Sequence, residues 1–141
     1  MINIMIPGEP VAKGRPRVTR SGIAYTPPKT SNYENLVKMC YMEQCCNEKL
    51  EGQLRAVIKA YFSIPKSSSK KNIALMEVNS LRPTKKPDGD NIGKIILDSL
   101  NKLAYADDSQ IVSMRVEKFY SHSPRVEVVI SNQLPEEGQY A

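Results

Sequence analysis

Every aspartate in the chain falls within 21 residues: Asp88, Asp90, Asp98, Asp107 and Asp108. The remaining acid is ten scattered glutamates, and the 141 residues still carry a formal net charge of +5. Short carboxylates place hard oxygens on few rotatable bonds, which is the donor that a divalent ion such as Mg²⁺ takes. The positive surplus elsewhere suits a polyanion. Carboxylates gathered in a basic protein point toward metal-assisted chemistry on phosphodiesters.

The acids occupy two short stretches, KPDGDNIGK at 86–94 and AYADDSQ at 104–110. Asp88 and Asp90 are two apart, so an extended segment turns both side chains the same way. Asp90 also stands at the start of a helix, with Lys94 one turn along. Asp107 and Asp108 follow that helix, which must fold back for them to meet the first pair. Simpler roles compete. One aspartate caps a helix in many proteins, yet one cap leaves the other unexplained. DGDNIG resembles the opening of a calcium loop, but Ile92 and Ser99 would fill its fifth and twelfth positions, which excludes an EF-hand. Asp107-Asp108 also reads as a polar turn, and Asp98 as a surface partner of Lys94 and Lys102. On spacing alone, a metal site and a set of caps and turns stay open side by side.

Two basic runs flank the acids. Residues 10–30 hold Lys13, Arg15, Arg17, Arg20 and Lys29 with no acid, and residues 66–87 hold Lys66, Lys70, Lys71, Arg82, Lys85 and Lys86 against Glu77 alone. A charge run is usually a solvated face. The first run, however, lies in a Gly/Pro-rich segment with exposed backbone amides, which favours phosphate contact. Lys13, Arg15, Arg17, Arg20, Lys85 and Lys86 are the candidate DNA contacts. Tyr25, Tyr33 and Tyr105 are of a type that stacks on bases, although burial is the commoner fate of tyrosine. His122 sits in a turn and is assigned no role.

The elements that must position these residues follow from periodicity. Ile2, Ile4 and Ile6 alternate with Asn3 and Met5, predicting a strand that stops at Pro7-Gly8. Four prolines and two glycines exclude a helix over 10–30, leaving a loop with a short strand at 22–26. A helix is expected over 31–50, with Tyr33, Leu36, Val37, Cys40, Tyr41 and Met42 near helical period, then a strand over 53–65. A short helix follows Ser69, a good cap. The clearest helix runs over 91–102, with Ile92, Ile95, Ile96, Ser99, Leu100 and Leu103 on one face. Strands over 111–120 and 125–131 close a single domain of residues 1–132, in the order β-β-α-β-α-β-β, with a loose tail at 133–141.

Composition narrows the class. The apolar share of 40% and charged share of 25% are those of a folded domain. No apolar run is long enough for a membrane-spanning helix, and MINIMIPGEP lacks the features of a signal peptide. Cys40, Cys45 and Cys46 form no CxxC pair, and one histidine makes a zinc site improbable. Reduced cytoplasmic thiols are the plain reading.

PDGDNIGKIILDSL and YADDSQIV together resemble the RusA family of Holliday junction resolvases, found in bacteria and their prophages. The first matches that family's D-x-D-N-x-x-K helix start, and the second its DD-[SA]-Q-[VI]-V segment, at the family's separation. The resemblance implies an α+β domain with a mixed β-sheet packed against helices. It implies metal ligation by Asp88, Asp90 and Asp108, a catalytic lysine at Lys94, and a neighbouring acid at Asp107. It further implies a Mg²⁺-dependent endonuclease, with Mn²⁺ as a substitute and no small-molecule cofactor. Such an enzyme acts as a homodimer on branched DNA and nicks opposed strands of a four-way junction, in recombination and repair. Gly89 departs from the bulkier residue usual between the two aspartates. Three alternatives stand beside this expectation: a DNA-binding module without catalysis, a small-molecule phosphoesterase, and a nuclease preferring forks or flaps. The extended basic loops argue against the phosphoesterase.

Overall fold

The computed structural model describes residues 1–134; the expected loose tail lies, from residue 135 onward, outside the described residues. Strict alternation makes β1 (Ile2–Pro7), where Ile2, Ile4 and Ile6 are fully buried and their neighbours exposed. The same alternation buries Leu54, Ala56, Ile58, Ala60 and Phe62 of β4 (Leu54–Ser63) and Val126, Val128 and Ile130 of β6 (Arg125–Ser131). With β5 (Ile111–Ser121) these strands form one sheet in the order β1-β6-β4-β5. β6 runs antiparallel to β1 and β4, whereas β4 and β5 are parallel. The sheet is therefore mixed and the domain is α+β, as expected. A parallel pair needs a long crossover. Here it contains α2 (Lys70–Glu77) and α3 (Gly89–Leu100), the helix that carries the acidic motif.

The long helix α1 (Pro28–Cys45) packs on β1 and α3. It starts before residue 31 because Pro28 occupies the first turn, where proline's fixed φ suits a helix. It ends before residue 50 because Cys46 and Asn47 adopt left-handed backbone conformations. Tyr33, Val37, Cys40 and Tyr41 are buried as expected, but Met42 lies on the outer side and is exposed. In α3 the expected residues Ile92, Ile95, Ile96, Ser99 and Leu100 are buried. Leu103 is not: the helix stops at Leu100 and Lys102, at φ 67°, turns the chain away. Ser69 caps α2 by accepting the Asn72 amide at 3.2 Å.

The basic loop holds a small antiparallel hairpin, β2 (Arg17–Val18) with β3 (Ala24–Tyr25). Tyr33 and Tyr105 are core residues, inaccessible for stacking on bases, whereas Tyr25 is exposed. Among the described residues, no helix is long and apolar enough to cross a membrane.

Candidate active-site depression

The site is built on α3 and the turn that returns from it. Asp88 occupies the position before the helix with extended backbone, yet its side chain makes no capping hydrogen bond. Capping therefore does not account for Asp88. Asp90 lies in the first helical turn, where the helix dipole favours a negative charge. The helix seats closely on β5 because Gly93 has no side chain. A Cβ there would stand 3.1 Å from Met114 Sδ and 3.2 Å from Val116 Cγ2. At Gly89 a Cβ would meet Val116 at an ordinary 3.7 Å, so close packing on β5 does not require glycine there.

The return turn is fixed by a set of hydrogen bonds. Buried Tyr105 donates its hydroxyl to the Leu97 carbonyl at 2.6 Å, satisfying a helix-end acceptor. Burial, then the charges of Asp108, Asp98 and Asp107, push the Tyr105 phenol well up, so it stays protonated. Asn101 accepts the Asp108 amide at 3.1 Å. Asp107 accepts the Ser109 amide at 3.1 Å and closes a capping box with Gln110 around the 3₁₀ turn Asp108–Gln110. Its hydrogen bonds with Ser109 lower the Asp107 pKa below the ordinary aspartate value. The two adjacent aspartates thus differ: Asp107 caps a turn, and Asp108 makes no side-chain hydrogen bond among the described residues.

Folding back brings Asp108 to the face of α3 that carries Asp90, Lys94 and Asp98 at successive fours. These four residues, with Leu97, Ile111 and Met114, line one depression of about 370 Å³. Asp88 is not in its lining. It sits on the exposed arm just before the helix, after Lys85 and Lys86. Among the described residues, no three carboxylate, histidine or cysteine side chains stand together ready to grip a metal. The structure brings Asp90, Lys94 and Asp108 together and leaves Asp88 beside them.

A hollow of about 550 Å³, lined by Lys13, Gly14, Arg15, Pro16, Asn91, Lys94 and Asp98, adjoins this depression through Lys94 and Asp98. Arg15 and Gly14 continue into a third hollow with Arg17 and Lys29. The acidic depression therefore opens onto the basic loop. The family model described as "Endodeoxyribonuclease RusA" matches residues 7–131, spanning the basic loop, both acidic motifs and the closing strands. The chain belongs to the RusA family. It is also 42% identical over 134 residues to "Uncharacterized protein YqaN" of Bacillus subtilis (strain 168), a match covering 92% of this chain and 94% of that one.

In this RusA-family chain, Asp98 has a different partner from the one that helix spacing suggests. Lys13 holds it at 3.3 Å and holds Glu34 of α1 at 3.1 Å. Neither Lys94 nor Lys102 pairs with it. Burial opposes the Lys13 charge, but hydrogen bonds and negative charge from Glu34 and Asp98 outweigh it and raise the lysine pKa. Lys13 thus meets carboxylates, while Arg15, Arg17, Arg20, Lys85 and Lys86 are exposed. Arg20, Lys85 and Lys86 line none of the three hollows. The arm before Asp88 is tied to β5 by Arg82, which pairs with Glu117 at 3.1 Å and lies over the Phe119 ring. Lys118 adds a bond to the Lys85 carbonyl at 2.6 Å. Sequence reasoning missed Asn101, Tyr105 and these arm contacts as supports. An asparagine just past a helix is a recognisable signal, but the cross-chain contacts leave none.

Proposed function

We propose that this RusA-family protein is a Mg²⁺-dependent, structure-specific endodeoxyribonuclease that resolves four-way DNA junctions by paired symmetric nicks. The observation that carries the reading is the shared depression of Asp90, Lys94 and Asp108, opening onto an acid-free arginine loop. The donor chemistry fits the ion: hard oxygens from two elements meet there, and the exposed Asp88 carboxylate is not engaged in capping. Asp88, Asp90 and Asp108 would hold Mg²⁺, with Mn²⁺ as a substitute. When bound, the ion supplies Lewis-acid polarisation of the phosphoryl oxygen and lowers the pKa of water.

The chain's own residues do the rest. Asp90 from α3 and Asp108 from the return turn line the same depression, and the cation they would hold is what would draw the scissile phosphate there. Lys94 brings a positive charge to the same spot, neutralising charge as it develops on the phosphoryl oxygens. Arg15 and Arg17 hold the flanking backbone, and Lys85 and Lys86 hold it on the Asp88 side. Resolution needs two cuts related by a two-fold axis, and one domain carries one such site, so the working form is a homodimer. The setting is DNA recombination and repair in the cytoplasm of a bacterial or phage-infected cell.

The test is cleavage of a synthetic four-way junction beside a linear duplex of the same sequence, with and without Mg²⁺. Asp90→Asn should keep junction binding and lose cleavage. Mixing wild type with excess Asp90→Asn subunits should give single nicks and few resolved duplexes. Binding without metal-dependent cleavage would favour a non-catalytic module, and faster cutting of forks or flaps would reassign the substrate.

A further inference from the structure

Lys94 has a natural partner that it does not use. Asp98 stands one helical turn further along α3, the spacing at which lysine and aspartate pair on a helix surface. Lys13 takes that carboxylate instead, at 3.3 Å, while its second bond runs to Glu34 at 3.1 Å. These side chains are partly buried, at 26% exposure for Lys13, 29% for Asp98 and 18% for Glu34, so their charges are only partly screened by water. Among the described residues Lys94 makes no ion pair, and it lines both the acidic depression and the hollow beneath the basic loop.

We infer that Lys13 is a positioning residue: by occupying Asp98 it keeps the Lys94 ammonium free to face the depression shared with Asp90 and Asp108. The inference rests on the catalytic reading of Lys94 given above. Without Lys13, a partly desolvated Asp98 carboxylate is left unpaired, and Lys94 is the only basic residue within α3, one turn away. Lys94 then turns away from the reacting phosphate. Lys13 is held in place by more than its ion pairs. The next residue, Gly14, donates its amide to the buried Thr30 hydroxyl at 2.9 Å, and a Cβ at Gly14 would stand 2.6 Å from that oxygen. The loop backbone is thereby fixed to α1 independently of the Lys13 side chain.

Suppression is the deciding experiment. Single-turnover nicking of a four-way junction is measured at saturating protein with Mg²⁺, alongside binding as a function of salt. Lys13→Met should slow nicking about tenfold, the scale of a partly buried charge contact, with the salt slope unchanged. Lys13→Met/Asp98→Asn should recover to within about threefold of wild type, because the competing carboxylate is gone. Failure of the second change to rescue, or a Lys13→Met protein as fast as wild type, would overturn the inference. So would a salt slope smaller by about one, which marks Lys13 as a phosphate contact. Should Lys13→Met not fold, brief acetylation of wild-type protein gives an independent answer: Lys94 should react quickly and Lys13 slowly, and equal rates would refute the arrangement. A wild type that cuts no DNA would defeat the proposed function, whereas the acetylation pattern would still judge the lysine arrangement on its own.

Discussion

Removing one hydroxyl, by Tyr105→Phe, tests the turn that returns Asp108 to α3. Tyr105 is fully buried and its hydroxyl donates to the Leu97 carbonyl at 2.6 Å. That carbonyl lies in the last turn of α3, and the Asn101 amide, the next donor along the chain, goes to Asp98 instead. The phenylalanine ring refills the space but leaves a buried acceptor without a partner, which costs about 1–3 kcal/mol. For a domain of this size that corresponds to a fall in melting temperature of roughly 3–10 °C. Urea unfolding followed by circular dichroism should show a lower midpoint and an unchanged slope. Nicking well below the melting temperature should persist, because Asn101 still holds the Asp108 amide. A melting temperature within about 1 °C of wild type would refute the reasoning, since it would mean that the Leu97 carbonyl finds another donor at no cost.

Gly93→Leu should destabilise the fold by about 1–3 kcal/mol and depress nicking, because its Cβ alone already crowds Met114 and Val116. Chemical unfolding and single-turnover rates on the same preparation measure both. Folded Asp107 titrates below its ordinary value of 3.8, so its contribution to stability is complete above that pH and is lost as pH falls through the lowered value. Asp107→Asn keeps a capping oxygen but no titration, and it should flatten this acid limb in pH-dependent melting while leaving nicking near neutral pH intact. Neutralising Arg15 and Arg17 together should weaken binding to every DNA and make the salt slope shallower by up to about 1.8, at roughly 0.9 for each phosphate no longer neutralised. An unchanged slope would mean that the loop points away from DNA.

Much of the architecture is legible in local pattern. Period-two alternation names the buried isoleucines of β1, and a 3.6-residue period names the apolar face of α3, because burial on a strand or helix repeats with its geometry. The two acidic motifs likewise mark Asp90, Lys94 and Asp108, since helix spacing and a short return loop are local properties. Boundaries are less legible. Leu103 carries the right spacing for the helix face, but the left-handed turn at Lys102 ends the helix first. What the sequence alone leaves undecided is which charges meet. Helix spacing pairs Asp98 with Lys94, yet packing of the basic loop between α1 and α3 delivers Lys13, and a tertiary contact prevailed over a local one. The division of labour within Asp107-Asp108 was equally undetermined, because identical neighbours differ only in direction. The 3₁₀ turn aims one at its own backbone and leaves the other facing α3. Sequence by itself determined the class of fold, the family motifs and the donor chemistry. Tertiary structure decided which lysine is paired and which stays unpaired, because the range of local periodicity ends where separate elements pack.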